Sequence, residues 1–206
     1  MARRIACHGN SLTLGTQATA GQEYPTVLQG LRPTDTVYNK GFAGAQTSAL
    51  ISGSPTTDYP DIVAPLFAAG AWYVPWEVLN SIFFGASAAT AYNDFVTLCG
   101  LGRATGYKVL AVTGSKTRGD YTGAMQTASD TANASIRANW ATFADALYDP
   151  NADSRFADSN NTTYYNADKV HYTDAGYAII ANGVNAALNA ALATGGVSRS
   201  RQQLCM

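Results

Sequence analysis

Charge is scarce in this sequence. Asp, Glu, Lys and Arg make up 13% of its residues, roughly half the share usual in globular proteins. Thirteen basic side chains against 14 acidic ones leave a net charge of −1. Such a surface has no field to hold a polyanion, which argues against nucleic acid and anionic membranes as partners. Glutamate occurs only at Glu23 and Glu77. Polarity is carried by Thr, Ser, Asn and Gly, a hydroxyl-rich surface suited to protein or carbohydrate. Three cysteines, Cys7, Cys99 and Cys205, cannot close a disulfide framework. None has a Cys or His at metal-ligand spacing, so they read as free, mostly buried thiols. No run of 18 apolar residues exists, so no membrane span is expected. The basic start Met1-Ala-Arg-Arg is followed by only Ile5-Ala6-Cys7, short of the roughly 7 to 15 apolar residues of a signal peptide. The chain is expected to begin at the fold itself, as an intracellular protein or as a trimmed domain of a secreted or virion protein.

What is present fits a single core. Hydrophobic residues make up 47% of the 206, enough to bury well over half the unfolded surface and the opposite of a disordered composition. No repeat or linker interrupts residues 1–206. Apolar runs alternate with helical segments, as in a parallel α/β sheet. The runs Arg4–Cys7, Thr36–Asn39, Trp72–Leu79 and Tyr107–Val112 read as strands, with Pro75 an awkward member of the third. Helices are expected over 21–31, 85–105 and 124–147. A last one should run from a Thr173 cap to about Leu192, with Ile179, Ile180, Val184 and Leu188 on its apolar stripe. From Gly195 the polar tail is expected to fray.

Four constellations carry chemistry. Ser11, in Gly9-Asn10-Ser11-Leu12-Thr13-Leu14-Gly15, directly follows the first strand, at the edge where open α/β sheets bind ligands; a serine there also serves as a helix cap. Asn39-Lys40-Gly41-Phe42-Ala43-Gly44 follows the second strand, and a Gly-x-x-Gly is commonly just a turn. Asn80 closes the third. Asp168 stands three residues before His171, one of two histidines, just ahead of the last helix. From there a carboxylate can accept the Nδ1 proton and leave Nε2 free as a base. His8, the other histidine, is expected to pack beside the site.

In the order Ser, Gly, Asn, His, these blocks resemble the SGNH hydrolase superfamily, the GDSL-type lipases and esterases. Residues 9–15 are similar to its Gly-Asp-Ser-x-Thr-x-Gly block, residues 39–44 to its second, Val78-Leu79-Asn80-Ser81 to its Gly-x-Asn-Asp, and Asp168-x-x-His171 to its last. Asn10, Val78 and Ser81 depart from the pattern, standing where the family has Asp, Gly and Asp. The resemblance implies a three-layer α/β/α sandwich on a flavodoxin-like parallel sheet of about five strands. It implies a catalytic Ser11, His171 and Asp168, and an oxyanion hole made of the Ser11 and Gly44 N–H groups and the Asn80 amide. Ser81 and Asn93 are rival donors, because Val78 stiffens the turn before Asn80. Losing the glycine at 78 also requires the backbone there to avoid positive φ.

The activity implied is a serine esterase acting on short-chain carboxylic esters, with no metal or cofactor needed. Trp72, Tyr73, Trp76, Phe83 and Phe84 cluster around the third block as core residues, or, for Phe83 and Phe84, as the lining of an acyl or sugar pocket. No long hydrophobic lid segment is present, which disfavours an interface-activated lipase. Two alternatives stay open. One is a carbohydrate O-deacetylase domain of a larger secreted or virion protein; the other is a non-catalytic binding module with the same fold.

Overall fold

The computed structural model describes residues 2–203, with their side chains as far as residue 194. The elements in chain order are β1 (Arg4–Gly9), α1 (Ser11–Leu14), α2 (Tyr24–Leu31), β2 (Thr36–Gly41), α3 (Thr47–Ser52), α4 (Tyr59–Ile62), β3 (Trp72–Trp76), α5 (Leu79–Phe83), α6 (Ala88–Thr105), β4 (Lys108–Val112), α7 (Gly123–Asn139), β5 (Ala146–Tyr148) and α8 (Asp174–Gln203). The strands form one sheet of order β2-β1-β3-β4-β5, every neighbouring pair parallel. This is the doubly wound flavodoxin-like order, whose direction reverses between β1 and β3.

Alternation along the strands builds a core on each face of the sheet. Ile5 and Cys7 of β1 join Val74 and Trp76 of β3 under α2 and α8, where Tyr24, Leu28, Tyr177, Ile180, Val184 and Leu188 are buried. Ala6 and Tyr73 face the opposite way, against Leu50, Phe95, Leu98, Ala132 and Ile136 of α3, α6 and α7. Layers on both faces of a parallel sheet give the expected α/β/α sandwich.

Several boundaries move. The third strand ends at Trp76, not Leu79, because Leu79–Phe83 turns into a short helix. Pro75 is accommodated there: β3 pairs with β4 only at Trp72–Lys108 and Tyr73–Val109, so the proline lies past the last rung on that side. Beyond it the Trp76 indole donates to the Thr113 carbonyl at 2.9 Å, bridging the parted strand ends. The helix expected over 124–147 stops at Asn139, and its last residues become the three-residue edge strand Ala146–Tyr148. Three residues are too few to show a period of two. The last helix passes its expected end near Leu192 and the expected fraying point at Gly195, reaching Gln203. The rest of that tail, 204–206 with Cys205, lies outside the described residues. Cys7 and Cys99 are buried free thiols. No described helix is long and apolar enough to cross a membrane.

Candidate active site

The carboxyl ends of β1 and β3 flank the reversal point, and the turn after each carries a polar residue into one cleft. After β1, Asn10 caps α1: its Oδ1 accepts the Leu12 N–H at 2.8 Å. The cap sets Ser11 at the first position of a single helical turn, where N–H groups have no intrahelical partner. After β2, the chain turns through Ala43-Gly44. Gly44 has φ +76°, and a Cβ built there would meet no protein atom within 4 Å. Glycine is therefore required by the left-handed backbone, not by crowding from neighbours. After β3, α5 presents Asn80. Ser11, Thr16, Ala43, Gly44, Asn80, Phe84, Arg118, Val170 and His171 line the resulting cleft of about 210 Å³.

Across the cleft, Ser11 Oγ lies 2.8 Å from His171 Nε2, and His171 Nδ1 lies 2.6 Å from Asp168 Oδ2. A carboxylate only accepts, so Nδ1 carries the proton and Nε2 is left to accept from the serine hydroxyl. Partial burial alone would raise the Asp168 pKa. Hydrogen bonds from the His171 ring and from the backbone N–H groups of Val170 and His171 outweigh it and hold the carboxyl below its ordinary value. Asp168 thus stays ionised, orienting the imidazole and ready to stabilise it when charged.

The two loops are stitched together. Gln17, at φ +66°, donates from Nε2 to Asp168 Oδ2 at 2.6 Å. Thr19 N–H donates to Asp174 at 2.8 Å, and the Tyr177 hydroxyl to the Thr16 carbonyl at 2.8 Å. Tyr172, directly after His171, is fully buried. Its ring is 4.7 Å from Phe156, 5.1 Å from Tyr165 and 5.6 Å from Tyr177, and stacks on Trp76 at 6.3 Å. Its hydroxyl donates to Ser115 Oγ. Each aromatic pair adds roughly 0.5 to 1.5 kcal/mol beyond burial, so the histidine stands on a fixed anchor.

Two of the three departures from the family pattern, Asn10 and Ser81, meet in one hydrogen-bond network, and Val78 lies in the core beside it. Val78 has φ −146°, so no glycine is needed there, and its side chain is buried in the core. Glu77 is buried beneath both turns. It accepts from Asn10 Nδ2 at 2.5 Å, from the N–H groups of Asn80 and Ser81 at 3.3 and 2.8 Å, and from Ser81 Oγ at 3.2 Å. Burial pushes its pKa up to about 7 against the pull of these donors. Ser81 Oγ also receives the Thr47 N–H at 3.0 Å, so its hydroxyl is committed away from the cleft. Asn93 is exposed on α6 and is not among the cleft residues.

Asn80 donates from Nδ2 to the Ala45 carbonyl at 3.0 Å and accepts at Oδ1 from Arg118 at 2.6 Å. Arg118 and Gln17 went unseen in the sequence, since neither stands in a motif. Phe84 lies on the cleft wall, 57% exposed. Phe83 instead lies under the Arg118 guanidinium at 4.4 Å, while Trp72, Tyr73 and Trp76 are core. His8 faces away: Nε2 donates to the Thr57 carbonyl at 2.8 Å and Nδ1 accepts from the Tyr73 hydroxyl at 2.8 Å. Burial lowers its pKa to about 4, partly offset by the bond to Thr57, so it is neutral near pH 7.

No protein-family model matches this sequence, and no curated protein matches it. Solved structures do. A member of the lipolytic protein G-D-S-L family from Veillonella parvula superposes with a TM-score of 0.72 at 19% identity, over 88% of this chain and 96% of that one. The psychrotrophic esterase EstA from Pseudoalteromonas sp. gives 0.68 at 10% identity, over 92% and 98%. An acetyl xylan esterase gives 0.64 at 17% identity, over 88% and 97%. The chain has the fold of the SGNH hydrolases.

Proposed function

We propose that this protein is a serine hydrolase of short-chain carboxylic esters, with Ser11 as nucleophile, His171 as general base and Asp168 as its orienting carboxylate. The observation that carries the reading is the unbroken hydrogen-bonded chain from Ser11 Oγ through His171 to Asp168, opening into the cleft. Ser11 Oγ attacks the ester carbonyl as His171 Nε2 takes its proton. Negative charge then gathers on the carbonyl oxygen, where the Ser11 and Gly44 N–H groups and Asn80 Nδ2 are the available donors. Among the described residues neither of those two N–H groups donates to a protein acceptor. His171 next protonates the leaving alkoxide, and water repeats the cycle to free the acid.

A cleft of about 210 Å³ falls below the roughly 300 to 1,000 Å³ typical of sites for drug-sized ligands. It supports a short acyl group. The same size, with the exposed Phe84 ring at the rim as a platform for a sugar face, also favours a second reading, removal of acetyl groups from carbohydrate. A non-catalytic binding module has no need of a serine paired with an oriented imidazole.

The test is a panel of p-nitrophenyl esters from acetyl to palmitoyl beside acetylated sugars. Turnover should be highest on the shortest acyl chains. A maximum on long chains would contradict the acyl assignment, and no hydrolysis of any ester would contradict the activity.

A further inference from the structure

Arg118 is the one permanently charged side chain among the residues lining the cleft. Nη1 donates to Asn80 Oδ1 at 2.6 Å. Nε and Nη2 donate to the Asp120 carboxylate at 2.6 and 3.1 Å. The guanidinium lies 4.4 Å from the Phe83 ring centroid and 5.6 Å from that of Tyr121, and the side chain is only 10% exposed.

We propose that Arg118 is a positioning residue for the oxyanion hole, holding the Asn80 amide with Nδ2 as its cleft-facing donor. The inference rests on the esterase reading. Arginine has five donors and no acceptor, so the end of the amide that meets it must be Oδ1. The far end is then Nδ2, which commits one hydrogen to Ala45 and keeps the second for a developing oxyanion. A cation on Oδ1 also polarises the amide and strengthens its N–H as a donor. Asp120 balances the charge and fixes the fork, and the two aromatic rings fix its plane. The same pairing with Asp120 makes Arg118 a poor counter-ion for an anionic substrate. Positioning is the role left to it.

The test combines kinetics with an activity-independent readout on Arg118→Met, Asn80→Ala and the double variant. Arg118→Met should lower kcat about tenfold with KM within about twofold, because it weakens a donor that acts on transition-state charge. In the Asn80→Ala background the same change should cost less than about twofold, since a residue acting through Asn80 has nothing left to act on. Losses that multiply in the double variant, or a rise in KM with kcat unchanged, would overturn the proposal. Separately, the side-chain amide resonances of Asn80, identified by their loss in Asn80→Ala, should collapse toward free-amide positions in Arg118→Met. Resonances that stay dispersed would also overturn it. This second readout holds whether or not the wild-type protein cleaves esters, so failure of the activity and failure of the positioning role are told apart.

Discussion

Asn80 is gripped from four directions. Its side chain meets Ala45 and Arg118, its N–H meets Glu77, and its carbonyl accepts the Phe84 N–H at 2.9 Å. A donor fixed in advance costs no reorganisation as charge develops, so Asn80→Ala should lower kcat by roughly 10² to 10³ with KM little changed. Steady-state kinetics on that variant beside Ser81→Ala and Asn93→Ala checks it. A large kcat loss confined to either neighbour would move the donor elsewhere. At this scale the sequence was legible where a placement is local. Asp168 and His171 stand three residues apart before a helix, and Ser11 stands two residues past a strand. Gln17 and Arg118 reach the site only through tertiary approach, which leaves no mark in local spacing.

The turn α1 owes its place to β2 as much as to its own cap. A Cβ built at Gly41, the last residue of β2, would lie 2.0 Å from the Leu14 nitrogen and 2.6 Å from its Cα. Backbone cannot swing aside as a flexible side chain can. Gly41→Ala should therefore cost about 1 to 3 kcal/mol of stability and lower kcat as well, because relieving the clash displaces the turn that holds Ser11. Melting and kinetics together check this; full activity with unchanged stability would contradict the packing account. The glycine was visible in the sequence as a turn signal, but the helix turn pressed against it was not. The same limit explains the short elements α3, α4, α5 and β5, each too brief to display a hydrophobic period. The strands β2 and β4 and the helices α2, α6 and α8 were all expected from the sequence, α8 from its apolar stripe.

For the whole molecule, two buried titratable groups set opposing dependences on pH. Glu77 has its pKa raised from 4.5 to about 7, mainly by burial. Between those values the native state holds a proton the unfolded chain has released, so its contribution to stability is full below 4.5 and is lost as pH rises through about 7. His8 is lowered by burial from 6.5 to about 4. Between those values the unfolded chain holds the extra proton, and stability rises with pH. From about pH 4.5 to 6.5 the two slopes oppose each other, and from about 6.5 to 8 Glu77 acts without His8. The melting temperature should thus be nearly level through the first window and fall through the second. Glu77→Gln should abolish the fall and leave a rise below it. A wild-type melting temperature that climbs from about pH 6.5 to 8 would contradict this assignment. In the sequence Glu77 stood as one of two glutamates, within the run expected to form the third strand. Its burial between two turns is a property of the assembled sheet edge.

The central claim is that Ser11 is an activated nucleophile, and covalent labelling tests it most directly. The wild-type protein is treated with a fluorophosphonate, and the adduct is located by intact mass and peptide mapping, beside His171→Ala and Ser11→Ala. One phosphonyl group should appear on Ser11 in the wild type, at a rate that collapses in His171→Ala, and none should appear in Ser11→Ala. An adduct on a different residue, or an unmodified Ser11 in a protein that hydrolyses esters, would contradict the account.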